Sequence, residues 1–121
     1  MVNKAKAQGT AWETAVKKRL ISAHFMDPRR LAEGGSQDEG DVHFRDWDRE
    51  RWVVECKARA NLNVTQTLAK AKKKAGPGNR VIVAWKKLTR SEGNERRTAD
   101  GEPDVVIMDW GTYMYLMRAG S

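Results

Sequence analysis

Cysteine is almost absent from this chain of 121 residues, which has one, together with two histidines and three prolines. Cys56 alone cannot form an internal disulfide. One cysteine and two histidines are also a poor donor set for a zinc site of three or four N/S ligands. No uninterrupted apolar run is longer than Val81-Ile82-Val83-Ala84-Trp85, far short of the ~20 residues of a membrane-spanning helix, so no membrane partner is expected. The amino terminus is polar and basic with no apolar segment behind it, which speaks against a secretory signal and for a cytoplasmic protein. Residues 76–79 are glycine-rich but lack a following Lys-Ser/Thr, so a P-loop is excluded and no nucleotide cofactor is implied.

Acidic residues are missing where basic ones gather. The chain carries 23 Lys plus Arg against 16 Asp plus Glu, a net charge of +7. From Lys57 to Arg90 there are ten basic residues and no acid, whereas residues 1–60 hold 12 basic and 10 acidic side chains. A concentrated positive stretch suits a polyanion, which clustered Lys and Arg bind through counterion release. A solvated helix face kept soluble by lysines would account for Lys70 to Lys74 without any ligand. The carboxylates of the first half call for a separate explanation.

With 40% hydrophobic residues and five tryptophans, the chain has matter for one core, and its length suits a single domain over residues 1–121. Residues 1–8 are expected to be a flexible basic arm. Thr10 is a good N-cap, and Trp12, Ala15, Val16, Leu20 and Ala23 recur at helical spacing, predicting a helix from about Ala11 to His24. Arg29 to Ala32 reads as a short strand after Pro28, followed by a glycine-rich acidic loop to Gly40. Asp41–Phe44 and Arg51–Lys57 are β-type runs around a polar turn, an antiparallel hairpin. Val64, Leu68, Ala71 and Ala75 share a helical face that Gly76-Pro77-Gly78 stops. Val81–Trp85 is a buried strand, and strand–helix–strand predicts a parallel crossover. Lys86 to Pro103 reads as a long loop or an extra surface element. Asp104–Trp110 and Tyr113–Arg118 around Gly111-Thr112 read as a closing C-terminal β-hairpin. The fold class is mixed α/β, with a central mixed sheet flanked by helices in the order αβββαβ.

Chemistry is concentrated in Gly40-Asp41-Val42 and Glu55-Cys56-Lys57. Alternation puts Glu55 and Lys57 on one face of a strand and Val54 and Cys56 on the other. If that strand pairs with the one starting at Asp41, two carboxylates converge and offer hard oxygen ligands to Mg²⁺, which can polarise a phosphodiester and activate a water. Lys57 would orient that water or neutralise developing charge. The same spacing equally fits an exposed cross-strand charge pattern worth at most ~1 kcal/mol. Glu13 has a purely local explanation as well, because Thr10-Ala11-Trp12-Glu13 matches a capping box. His24 and His43 read as packing or surface residues. Trp47, in the turn, is the tryptophan expected to be exposed.

These residues resemble the PD-(D/E)xK nuclease superfamily, in particular the small archaeal-type Holliday-junction resolvases and their phage relatives. The similarity spans most of residues 9–88. It comprises Gly9-Thr10-Ala11-Trp12-Glu13 opening the first helix, Gly34-Gly35-Ser36, Gly40-Asp41-Val42, Val53-Val54-Glu55-Cys56-Lys57, and the helix and strand that follow. Gly40 replaces the motif's proline, and a literal Pro103-Asp104 has no Glu-x-Lys after it. The resemblance implies a restriction-endonuclease-like core and a divalent-metal centre of Glu13, Asp41 and Glu55, with Mg²⁺ as cofactor and Mn²⁺ as substitute. It further implies that Lys57 is the catalytic lysine, with Ser36 and Gln66 assisting. The implied activity is a structure-selective DNA endonuclease, a homodimer cutting four-way junctions or other branched DNA to 5′-phosphate and 3′-hydroxyl ends. Phosphates would be held by Lys4, Lys6, Arg29, Arg30, Arg59, Lys70, Lys72, Lys73, Lys74, Lys86 and Lys87. A repair, restriction or flap-type nuclease of the same superfamily is the enzymatic alternative. A non-catalytic basic nucleic-acid-binding module is the alternative from another class.

Overall fold

The computed structural model describes residues 4–23, 25–31, 41–90, 96–98 and 104–119. Among the described residues, three helices and six strands follow one another as α1 (Lys4–Ser22), β1 (Met26–Leu31), β2 (Asp41–Arg45), β3 (Arg51–Arg59), α2 (Val64–Ala75), β4 (Arg80–Arg90), β5 (Arg96–Thr98), β6 (Val105–Ile107) and α3 (Trp110–Ala119). The expected αβββαβ order is therefore present up to β4. No helix among the described residues is long and apolar enough to cross a membrane.

The strands form one mixed sheet in the order β1-β2-β3-β4-β5, with β6 also on β4. β1 is an edge strand whose register breaks between Met26 and Arg29, and edge and irregularity together are where a strand tolerates Pro28. β2 and β3 are the expected antiparallel hairpin. β3 and β4 run parallel from Trp52↔Arg80 to Arg59↔Lys87, with α2 as the crossover.

Period-two alternation sorts β3 and β4 between two apolar layers. Trp52, Val54, Cys56 and Ala84 join Trp12 and Val16 of α1 on one face. Val53, Val81 and Val83 join Ala71 of α2 on the other. The Trp12 indole N–H donates to the Ala84 carbonyl at 2.9 Å, which pins α1 across the sheet. α2 is capped by Asn63, whose side chain accepts from the Gln66 amide, and ends at Gly76 with φ 79°, a left-handed value that favours glycine.

Two expectations are corrected, and one pair of alternatives is decided. α1 begins at Lys4, so residues 4–8 are helical and Thr10 is interior instead of an N-cap. The Lys-Ala-Lys-Ala-Gln run consists of good helix formers that extend the helix through Gly9. Of the two readings of Lys86–Pro103, the extra element holds: the stretch starts as the end of β4 and contains β5, antiparallel to Leu88–Arg90. The closing β-hairpin does not form: β6 is a strand, but Trp110–Ala119 is a helix. Asp109 supplies the reason, accepting from the Thr112 amide through its side chain at 2.8 Å and from the Tyr113 amide through its carbonyl at 3.1 Å, as an N-cap does.

Candidate active site on the hairpin

The β2–β3 register decides which charges meet. Asp41 stands directly opposite Glu55, and Val42 opposite Val54. The two acidic positions expected to converge are therefore cross-strand neighbours at the start of β2. The hairpin holds this register through its turn. Asp46 N–H donates to the Glu50 carbonyl, and the Arg49 amide donates to the Asp46 carbonyl. Arg49 takes a φ of 65°.

Glu55 is 5% exposed, yet it belongs to the α2 face, where its neighbours are ammoniums. Lys57 Nζ lies 3.8 Å from Glu55 Oε2, and Lys74 Nζ of α2 lies 3.7 Å from Oε1. Both separations exceed a hydrogen bond, so the attraction is electrostatic. A buried carboxylate needs such compensation. Lys57, two residues on, is 14% exposed and holds the expected position. Arg59 and Lys87 are paired across β3 and β4, on the same face by alternation. Basic charge thus continues from the carboxylate to the strand ends.

Glu13 is buried at 4% exposure on the helix that Trp12 pins to the sheet. Its capping-box explanation falls away with Thr10 inside α1. Gln66 is exposed on the first turn of α2, two turns before Lys74 and so about 12 Å away along the helix axis. Ser36 lies outside the described residues. Lys4, Lys6, Arg29 and Arg30 fall on α1 and β1, with side chains outside the described part, as is that of Asp41. Among the described residues no group of three His, Cys, Asp or Glu side chains forms a metal cluster.

The basic stretch is divided between surfaces. Lys70 and Lys73 are exposed on α2, while Lys72 is paired with Asp109. Lys86 lies on the α1 face, 5.0 Å over the Trp12 ring and 3.4 Å from Asp104. Asp104, the acid of the later Pro-Asp pair, also accepts from Arg19 at 2.7 Å. Burial alone would raise its pKa, but these two cations hold it below the usual value.

Sequence patterns did not single out Asp46, a buried carboxylate at the turn. Its Oδ1 accepts from the amides of Asp48 and Glu50 at 2.9 Å each. Its Oδ2 accepts from the Trp52 indole at 2.8 Å and the Tyr115 hydroxyl at 3.0 Å. Desolvation pushes its pKa up, and these donors outweigh it, so the carboxyl stays below its ordinary value. The signal was an aspartate opening a tight turn, where side-chain-to-backbone bonds are common. Lys74 was foreseen as a phosphate contact or part of a solvated helix face, not as a partner of Glu55; its spacing of three from buried Ala71 marks it as flanking the sheet-facing stripe.

No family model, curated protein or solved structure matches the chain.

Proposed function

We propose that this protein is a Mg²⁺-dependent, structure-selective DNA endonuclease with a PD-(D/E)xK-type, restriction-endonuclease-like core, cutting four-way junctions as a homodimer. One observation carries the reading: Asp41 is in register with Glu55 on a strand whose Lys57 ammonium is 3.8 Å from that buried carboxylate. A solvated cross-strand charge pattern would not need a glutamate buried to 5% exposure. The αβββαβ order and the acid-free basic segment support the same conclusion.

The donor chemistry suits the metal. Mg²⁺ takes hard oxygen ligands, keeps several waters and is commonly held by one or two carboxylates plus substrate phosphates. Asp41 and Glu55 would supply those carboxylates, with Glu13 as the third candidate. The ion contributes Lewis acidity at a phosphate oxygen when bound. The chain's own residues do the rest. Glu55 is held by a central strand, so its position costs no reorganisation. Lys57 has little freedom beside it and is suited to neutralising charge that develops on a phosphate oxygen. Arg59, Lys70, Lys73 and Lys87 would bind backbone phosphates; Lys72 is paired with Asp109 and Lys86 with Asp104.

Support for a twofold assembly comes from α3. Trp110, Tyr113, Met114 and Met117 are exposed at i, i+3, i+4 and i+7, one uncharged stripe on a single helix face. An uncharged apolar surface complements itself, as an isologous interface requires. α3 is tied to the turn end of the hairpin through Tyr115 and Asp46, at the opposite end of β2 from Asp41, so pairing there leaves the site open.

Incubation of labelled four-way junction with and without Mg²⁺, beside linear and forked DNA, tests the proposal. Paired symmetric nicks in the junction alone, only with Mg²⁺, are expected. Scission of linear or forked DNA would make it a nuclease of another substrate class. Salt-sensitive binding with no Mg²⁺-dependent scission would make it a nucleic-acid-binding module.

A further inference from the structure

The two oxygens of Glu55 face two different kinds of lysine. Lys57, at Oε2, projects from the same strand and is 14% exposed. Lys74, at Oε1, comes from the last turn of α2 and is 56% exposed. The first is confined by the sheet. The second reaches the carboxylate from α2 along a flexible stem that is more than half exposed. At 3.7 Å its ammonium interacts with the carboxylate through charge, without the geometry of a hydrogen bond. Such a contact is readily exchanged for another partner. The carboxylate is the group that a divalent cation would need, and the Lys74 ammonium and that cation repel each other there.

We propose that Lys74 is a positioning residue of this site: it neutralises Glu55 while no divalent cation is bound, competes with the cation for that carboxylate, and is freed for a DNA phosphate when the cation arrives. This rests on the reading of Glu55 as a metal ligand. It assigns the lysine to a switch between two anionic partners, a role that the Glu-x-Lys pattern does not contain. Linkage makes the exchange reciprocal, so occupation of Lys74 by a phosphate strengthens cation binding by the same factor that the cation strengthens phosphate binding.

The test is Mn²⁺ binding to the full-length protein without DNA, followed by the loss of free-ion paramagnetic resonance signal. Lys74→Gln is expected to bind Mn²⁺ about two- to fivefold more tightly than wild type, the effect of removing a partly exposed ion pair. Lys74→Arg keeps the competing charge and is expected to match wild type, while Glu55→Gln loses the binding. Because position 74 is largely solvent-exposed, Lys74→Gln is expected to fold with a melting temperature within a few degrees of wild type, and Lys74→Ala provides a second neutral variant. Unchanged Mn²⁺ affinity in both neutral variants, with binding still lost in Glu55→Gln, overturns the role of Lys74 and leaves Glu55 as a ligand. Wild-type protein that binds no Mn²⁺, or binds it independently of Glu55, overturns both.

Discussion

Glu55→Gln keeps the size of the side chain and removes one negative charge from a point 3.8 Å from Lys57 and 3.7 Å from Lys74. Near a protein surface, one pair of unit charges at 4 Å interacts by ~4 kcal/mol at an effective dielectric of about 20. For folding, most of that is offset by the desolvation of a carboxylate that is 5% exposed, and Lys74 is screened by water. The expected stability change is therefore small, about 1 kcal/mol in either direction. For cleavage no such offset applies, because the charge is needed in the transition state. A loss of ~4 kcal/mol there corresponds to about a thousandfold in rate. Junction binding in EDTA has the opposite sign: deleting a carboxylate from a basic face leaves affinity equal or higher. Single-turnover cleavage in Mg²⁺, gel shift in EDTA and thermal melting of the same preparation separate the three effects. Cleavage within fivefold of wild type, with binding and melting unchanged, would refute the catalytic assignment and reduce Glu55 to a structural charge. Asp41→Asn should behave in the same way.

Asp46→Asn leaves the buried Trp52 indole N–H facing an amide NH₂ in place of Oδ2, and urea denaturation should show a loss of about 1–3 kcal/mol; less than 0.5 kcal/mol would mean that the network is not structural. The Lys72 ammonium and the Thr112 amide and hydroxyl hold the Asp109 pKa down to about 2. A depressed carboxylate stabilises the fold above its unfolded value and loses that contribution as pH falls from about 4 to 2. Given the exposure of Lys72, this contribution is about 1 kcal/mol, and Asp109→Asn should flatten the stability profile in that window. Lys57→Ala should cut at least ~100-fold more slowly while binding junction normally, an outcome that a purely structural lysine would not produce. Met114→Glu with Met117→Glu should convert a dimer to a monomer in light scattering; an unchanged mass would remove α3 from the interface.

Local pattern was a sound guide wherever period or punctuation acts over a few residues. The hairpin followed from two β-type runs around a polar turn, and α2 from its apolar spacing and the Gly-Pro-Gly stop. The parallel strand followed from the crossover, and the placing of Val54 and Cys56 on the face opposite Glu55 from alternation. The C-terminal segment went astray because Tyr113 to Met117 is apolar at every position, so no period distinguishes strand from helix. The decision was made by the Asp109 cap and by Tyr115 reaching Asp46, 69 residues earlier in the chain. Gly111-Thr112, read as a hairpin turn, is the first turn of that helix. In α1, strong helix formers before Gly9 overrode the cap signal at Thr10.

At the site, sequence by itself determined that Glu55 and Lys57 share a face and that Asp41 opens the neighbouring strand, because strand alternation is a property of the backbone. Tertiary structure alone decided that Asp41 meets Glu55 in register and that Lys74 reaches the same carboxylate from α2. It also divided Lys72, Lys74 and Lys86 among Asp109, Glu55 and Asp104. Those pairings depend on how the helices seat against the sheet, which is set by the packing of Ala71 and Trp12 into two separate apolar layers. No short run of residues carries that long-range information.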